Sequence, residues 1–311
     1  MENQENEPNK DNSLPSVTPT SNDEWSRKMV KAKLLEHGYR IGKVIGEGSY
    51  SKVYYSEHRL QGDHLQQQQQ FPERSACKII DRKQSTMEYS QFLPREIKTM
   101  TALSHPNIVA VHSVFEFGPY VCIFMDYCRC GDLLQRILQR GKLSQAKARN
   151  FFRQLVSAVR YMHCQGFCHR DIKCENVLLS GPAHLKLSDF TFAKQCPAEE
   201  ASKQLSKTFC GSVAYAAPEI LKGILYDPKR YDMWSLGCVL FVMVTGTMPF
   251  DETNVPETIH RQETKQYFYP EGVKLNPTLL ELIDSLIEPD VERRATVEQV
   301  VECLWLKEQD A

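Results

Sequence analysis

The chain has 311 residues, 41% of them hydrophobic and 25% charged, with a formal net charge of −1. That length holds one large two-lobed domain or two ordinary ones, the balance is that of a soluble globular protein, and no global basic field draws the chain to nucleic acid or to an anionic membrane. Eleven cysteines, an odd count in so long a chain, point to reduced thiols acting as small buried hydrophobes and away from a disulfide framework.

Residues 1–24 carry six acids, one lysine, three prolines and little to bury, so they are expected to be disordered. Acidic and amide residues follow Met1 where a secretory leader would place a basic and then an apolar segment. The longest apolar run, Cys238 to Val244, is too short for ~30 Å of hydrocarbon, and the chain reads as cytosolic or nuclear, without a membrane partner. Trp25 to His37 is basic with scattered apolar residues, a pattern that predicts a short helix decorating the surface. Residues 1–38 therefore read as a tail, with folded structure beginning near Tyr39.

From Tyr39 to Arg59 the pattern is two strands about a glycine-rich turn. Gln61 to Arg74, with consecutive glutamines from Gln66 to Gln70, has no apolar periodicity and reads as a flexible loop inserted at 61–74. Ser75 to Ile80 resumes a strand, and Leu93, Ile97, Met100 and Leu103 recur at helical spacing. Beyond Asp126 helices dominate. Asp132 can cap one bearing Leu133, Leu134, Ile137 and Leu138, and Ser144 can cap a longer one that ends before Gly166. Val177 to Leu179 and Leu185 to Leu187 predict a short hairpin about Gly181-Pro182. A strand-rich first third followed by helices predicts an α+β protein of two lobes, 39–125 and 126–307, with a cleft between them and a tail at 308–311.

Several segments could carry chemistry. In Gly46-Glu47-Gly48-Ser49-Tyr50-Ser51-Lys52-Val53 the glycines let backbone amides approach phosphate oxygens, although a tight hairpin turn accounts for them equally well. A strand follows where a dinucleotide site would need a helix. Lys78 stands among Ala76, Cys77, Ile79 and Ile80, and a half-buried lysine requires a partner, for which Glu96 is the candidate. An ordinary surface lysine and a solvated glutamate remain the plain alternatives. Cys128 and Cys130 lack the second pair that a zinc site would show. Most informative is His169-Arg170-Asp171-Ile172-Lys173-Cys174-Glu175-Asn176, followed thirteen residues after Asn176 by Asp189-Phe190. It supplies two carboxylates, a lysine and an amide, the parts phosphoryl transfer uses for positioning and charge neutralisation.

That stretch resembles the catalytic loop and metal-binding segment of eukaryotic protein kinases, and the resemblance runs from about Tyr39 to Leu306. It implies a bilobal kinase fold using ATP and Mg2+. Asp171 would orient and deprotonate the substrate hydroxyl, Lys173 would neutralise the transferred phosphoryl group, and Asn176 and Asp189 would ligate metal. Ile45, Gly46, Glu47, Gly48, Ser49 and Val53 would cover the nucleotide, and Lys78, tied to Glu96, would hold its phosphates. Ala76, Met125, Asp126 and Cys128 would surround the adenine, and Asp132 would reach the ribose or a substrate arginine. Thr208 matches an activating phosphosite with Arg170 as its phosphate partner. Glu219 would pair with Arg294, and Asp232 would brace the catalytic loop.

Lysine two positions after Asp171 resembles the serine/threonine-specific branch. Ser51 stands at the usual third glycine of the loop, and Cys77 replaces a more usual isoleucine. Thr191 follows Asp189-Phe190 where glycine is usual, which puts in doubt a glycine-dependent flip of that segment, because a β-branched residue lacks glycine's φ range. Phe92-Leu93-Pro94-Arg95-Glu96, Lys173-Cys174-Glu175-Asn176 and the run from Leu205 to Glu219 are similar to the testis-specific serine/threonine kinases, relatives of the calcium/calmodulin-dependent group. The expected activity is transfer of the γ-phosphoryl group of ATP to protein serine or threonine by a monomer, with arginine three residues before the acceptor read by Asp132 and Glu175. An upstream kinase or chaperone is the expected further partner, and nucleic acid is not. Lys78, Glu96, Asp171, Asn176 and Asp189 are all present, which favours an active enzyme over the other open reading, a kinase-fold pseudoenzyme acting as a scaffold.

Overall fold

The computed structural model describes residues 21–48, 51–58, 72–84, 87–196, 205–206, 211–251 and 253–308. A helix opens it, α1 (Ser21–Glu36), followed by the strands β1 (Tyr39–Gly48), β2 (Ser51–His58) and β3 (Arg74–Asp81), then α2 (Met87–Ala102), β4 (Val111–Phe117) and β5 (Tyr120–Asp126). The five strands form one antiparallel sheet in the order β1-β2-β3-β5-β4. Side chains alternate across it as the pleat requires. Ala76 and Ile80 of β3, with Val121, Ile123 and Met125 of β5, join Leu93 and Met100 of α2 in the main core. Cys77, Cys122 and Phe124 point to the other face.

That second face is where the sequence reading needs correction. Val30 and Leu34, one helical turn apart on α1, are buried against Tyr39, Cys77, Tyr120, Cys122 and Phe124. Lys31 and Lys33 lie 5.0 Å and 5.5 Å over the rings of Tyr54 and Phe117. The helix is docked and does not merely decorate the surface, and folded structure already includes α1 rather than beginning near Tyr39. The physical reason is that the outer face of β3 and β5 carries apolar side chains that need a cover. The glutamine tract lies outside the described residues, as do residues 1–20.

The second lobe is helical: α3 (Leu133–Arg140), α4 (Gln145–Cys164), β6 (Phe167–Cys168), β7 (Val177–Gly181), β8 (His184–Leu187), β9 (Lys194–Gln195), α5 (Pro218–Leu221), α6 (Pro228–Thr245), α7 (Val255–Glu263), α8 (Pro277–Leu286), α9 (Val297–Val301) and α10 (Leu304–Lys307). Asp132 caps α3 through the Gln135 N–H, and Ser144 caps α4 through that of Lys147, as the sequence predicts. Helix α6 is buried nearly all round, which its apolar composition allows only in the centre of a lobe. Gly237 lets it approach α8: a Cβ there would sit 2.7 Å from Ile287 and 2.8 Å from Leu286. Among the described residues no helix is long and apolar enough to cross a membrane.

Candidate active site

Between the lobes the carboxylates, lysines and amide singled out above come together. The catalytic loop follows β6, and Asp232 on buried α6 fixes its backbone. One carboxylate oxygen of Asp232 accepts from the His169 N–H (2.9 Å) and lies 2.9 Å from His163 Nε2, and the other accepts from the Arg170 N–H (2.8 Å). Arg170 is held at φ 66°, a left-handed conformation uncommon for a side-chain-bearing residue, and these bonds offset its cost. His169 is fully buried, with Nδ1 accepting from the Asp171 N–H (3.2 Å) and Nε2 donating to the Ser188 carbonyl (3.0 Å). Both ring nitrogens are thus used in holding the loop. The sequence singled out Asp232 for this task but not His163.

Asp171 is buried with a network around its carboxylate. Lys173 Nζ stands 2.9 Å from Oδ2, and Asn176 Nδ2 donates to the same oxygen (3.0 Å) and to the Asp171 carbonyl (2.8 Å). Oδ1 accepts from the Ser212 N–H (3.1 Å), and Lys173 also donates to Ser212 Oγ (2.8 Å). Ser212 was not foreseen, and its only sequence signal is its place beside Gly211. Gly211 has φ 94°, and a Cβ there would meet the Arg170 carbonyl at 2.8 Å, so glycine is what lets this segment lie against the loop.

Lys78 and Glu96 form the expected pair, Nζ to Oε1 at 2.6 Å, with side chains 13% and 1% exposed. Lys78 Nζ is also 3.9 Å from Asp189 Oδ1. Asp189 sits at φ 61°, and Thr191 Oγ1 lies 2.7 Å from its Oδ1 and 3.1 Å from Glu96 Oε2. Burial opposes charge on Asp189, but Lys78 and the Thr191 hydroxyl outweigh it and hold the carboxyl below its ordinary value. In this conformation the strained φ belongs to Asp189, and Thr191 needs none of glycine's freedom.

The first lobe supplies a roof and a back wall. Gly46 pairs with Val53, Glu47 with Lys52 and Gly48 with Ser51 at the tip of the β1–β2 hairpin. Ile45 is partly exposed on the same hairpin, and Ser49 lies outside the described residues. Ala76 and Met125 stand opposite each other across β3 and β5, both buried. Asp126, at the start of the connection between lobes, does more than the sequence suggests. Its N–H donates to the Ala110 carbonyl (3.0 Å), while its carboxylate accepts from the Ala110 N–H (3.0 Å) and lies 2.8 Å from Lys186 and 3.1 Å from His112. Burial opposes the charged form, yet these neighbours hold the carboxyl at about 2. Cys128 is half-buried two residues on, and burial pushes its thiol up to about 11.

Asp132 spends one oxygen on its helix cap, at 2.7 Å from the Gln135 N–H. Glu175 is exposed and accepts from the Tyr215 hydroxyl (3.3 Å). Both acids act on buried Cys174, whose thiol is pushed to about 12, chiefly by burial and further by these two charges. Arg170 is buried and donates to the Phe192 carbonyl (2.7 Å), to Ser206 Oγ (3.2 Å) and to the Tyr226 hydroxyl (3.4 Å). Thr208 lies outside the described residues. Glu219 meets Arg294 through two parallel buried bonds of 2.7 Å and 3.0 Å, the pair that the resemblance implies.

Residues 39–306 match the protein kinase domain family. The chain belongs to that family. It is 42% identical over 281 residues to testis-specific serine/threonine-protein kinase 1 of Mus musculus, covering 89% of this chain and 74% of that protein. It is 41% identical over 275 residues to testis-specific serine/threonine-protein kinase 3 of Homo sapiens, covering 88% and 97%. With testis-specific serine/threonine-protein kinase 4 of Homo sapiens the identity is 34% over 284 residues, covering 87% and 83%. The protein is a serine/threonine protein kinase with protein substrates, of a family that uses ATP with a divalent metal.

Proposed function

We propose that this kinase transfers the γ-phosphoryl group of ATP, with Mg2+, to serine or threonine three residues after an arginine. The observation that carries the reading is the Lys78–Glu96 pair reaching Asp189, together with the Asp171, Lys173 and Asn176 cluster on the loop that precedes it. Asp171 orients the acceptor hydroxyl and takes its proton as the oxygen attacks. Lys173, already beside that carboxylate, meets the charge of the transferred group. Lys78 holds the α and β phosphates in a position that Glu96 defines. The Asp126 N–H is committed to the Ala110 carbonyl, so we assign its carbonyl to adenine, with Cys128 supplying the next backbone group.

Asn176 and Asp189 fit magnesium. Both offer hard oxygen donors, since the amide nitrogen of Asn176 is spent on Asp171 and its carbonyl oxygen is left, and Asp189 is held ionised. When bound, the ion would neutralise the phosphate charge and orient it.

We assign Asp132, whose second oxygen is not used by its helix cap, and exposed Glu175 to the acceptor's amino-terminal side, where two carboxylates would favour arginine, which pairs with them bidentately. Thr208 is assigned as the activating phosphosite, near the segment where Arg170 already reaches Ser206. The relatives' names support a role in male germ cells, and we place the enzyme in the cytoplasm or nucleus as a monomer. The test is Mg2+-dependent transfer from ATP to an Arg-x-x-Ser peptide. Asp171→Asn should lower kcat by ~10²–10⁴-fold with ATP affinity nearly unchanged, and more than a tenth of wild-type kcat would contradict the assignment.

A further inference from the structure

Glycine at position 191 would leave an empty backbone, and this chain instead places a hydroxyl there between two carboxylates. Thr191 Oγ1 is 2.7 Å from Asp189 Oδ1 and 3.1 Å from Glu96 Oε2. Glu96 has Lys78 at 2.6 Å from one oxygen and the Thr191 hydroxyl, shared with Asp189, at 3.1 Å from the other. Lys78 closes the ring by standing 3.9 Å from Asp189 Oδ1. Four residues from β3, from α2 and from the segment after β8 thus form one polar cluster. Phe190, between Asp189 and Thr191, is fully buried with its ring 5.1 Å from that of His169, so the segment is gripped on both sides.

The chemistry of the cluster decides what the hydroxyl does. Two carboxylates this close repel each other, and one ammonium only partly offsets them. The hydroxyl has one proton, which it shares between the two acids in a three-centre bond with the shorter arm to Asp189, and a hydrogen bond to a charged acceptor is among the stronger kinds. Asp189 needs such a hold, because its φ of 61° is costly for a residue with a side chain. Thr191 has no such cost here, so its β-branched side chain can be stiffly placed.

We propose that Thr191 is a positioning residue, whose hydroxyl ties the Asp189 carboxylate to Glu96 so that helix α2 and the metal-binding segment move as one unit. The assembled arrangement is then held before nucleotide arrives, and separating α2 from Asp189 requires parting the hydroxyl from both acids. This inference rests on the reading of Asp189 as a metal ligand and of Lys78 and Glu96 as the phosphate-positioning pair.

The experiment compares the full-length wild type with Thr191→Val, which keeps the shape and loses the hydroxyl, and with Thr191→Ser, which keeps the hydroxyl. Amide hydrogen exchange is followed in the nucleotide-free proteins. Thr191→Val should raise exchange about tenfold in the Leu93–Ala102 part of α2 and around Asp189, leaving buried α6 unchanged, whereas Thr191→Ser should stay within about twofold of wild type. In turnover, the Mg2+ concentration giving half-maximal rate should rise several-fold in Thr191→Val with the peptide KM unchanged. Wild-type exchange in Thr191→Val overturns the proposal. So does a Thr191→Ser that exchanges as fast as Thr191→Val, because the methyl group and not the hydroxyl would then be acting. So does a rise that extends equally into α6, which would mark general loosening. If Thr191→Val does not fold, Thr191→Ala is read by the same criteria. Exchange is measured without substrate, so a failure of the tie and a failure of the catalytic reading are distinguishable.

Discussion

Replacing Glu96 by glutamine isolates the contribution of one buried charge to catalysis. In the wild type its carboxylate is 1% exposed and 2.6 Å from Lys78, which is itself 13% exposed. Removing one partner from such a pair strands the other, at a cost of ~3–5 kcal/mol. At ~1.4 kcal/mol per decade that corresponds to ~10²–10³·⁵-fold if the whole loss falls on the transition state. The structure argues for the lower end, because Lys78 has a second carboxylate, Asp189, 3.9 Å away. The ammonium can lean onto it and recover part of the loss, but in doing so it leaves the position that serves the phosphates. We therefore expect kcat/KM for ATP to fall about 10²-fold in Glu96→Gln and about 10³-fold in Lys78→Met, which leaves no cation at all. The double variant should be no worse than Lys78→Met, since the two side chains act as one unit. The assay is initial-rate kinetics of all four proteins at saturating peptide, with thermal melts to confirm that each is folded. A double variant whose loss equals the product of the single losses would refute the coupling. So would a Glu96→Gln enzyme keeping more than about a third of wild-type kcat/KM, given the magnitude just derived.

Leu34→Ala should cost ~2–5 kcal/mol and lower Tm by several degrees, because Leu34 is 0% exposed on the sheet-facing side of α1, whereas Leu35→Ala, at a side chain 61% exposed, should change little. Equal melts for the two variants would mean that α1 is not docked in solution. Asp126 titrates at about 2 in the folded chain, below its unfolded value, so its contribution is present above pH ~4 and lost as pH falls from ~4 to ~2. Asp126→Asn should accordingly lower unfolding free energy at pH 7 by ~1–2 kcal/mol, after allowance for partial exposure, with the gap to wild type closing toward pH 2 in denaturant titrations. Phosphatase treatment should reduce wild-type activity and leave Thr208→Ala unaffected, and an alanine variant as active as the phosphorylated enzyme would remove Thr208 from the mechanism.

The catalytic loop was legible in the chain because its chemistry is local. Asp171, Lys173 and Asn176 fall within six residues, and a tight turn from Cys174 to Asn176 is enough to bring amide, ammonium and carboxylate together. Helix caps at Asp132 and Ser144 were legible for the same reason, since donor and acceptor lie three residues apart. Of the long-range pairs, Glu219 with Arg294 came from family resemblance, and residue chemistry made Glu96 only a candidate for Lys78, because nothing local selects one buried acid among many. What only the tertiary structure decided are contacts whose second half is assembled by folding. Val30 and Leu34 are two apolar residues on a basic helix, unremarked until Cys77, Cys122 and Phe124 are aligned across strands into a face that needs a cover. Asp126 is read in the chain only as a neighbour of adenine, until Lys186, His112 and the Ala110 N–H converge on it from other elements. Thr191 is an anomaly in the chain, and becomes a ligand of two acids only when α2 brings Glu96 to within a hydrogen bond of its hydroxyl. Sequence carries the reach of a side chain along its own segment, and distance across the fold is set by packing.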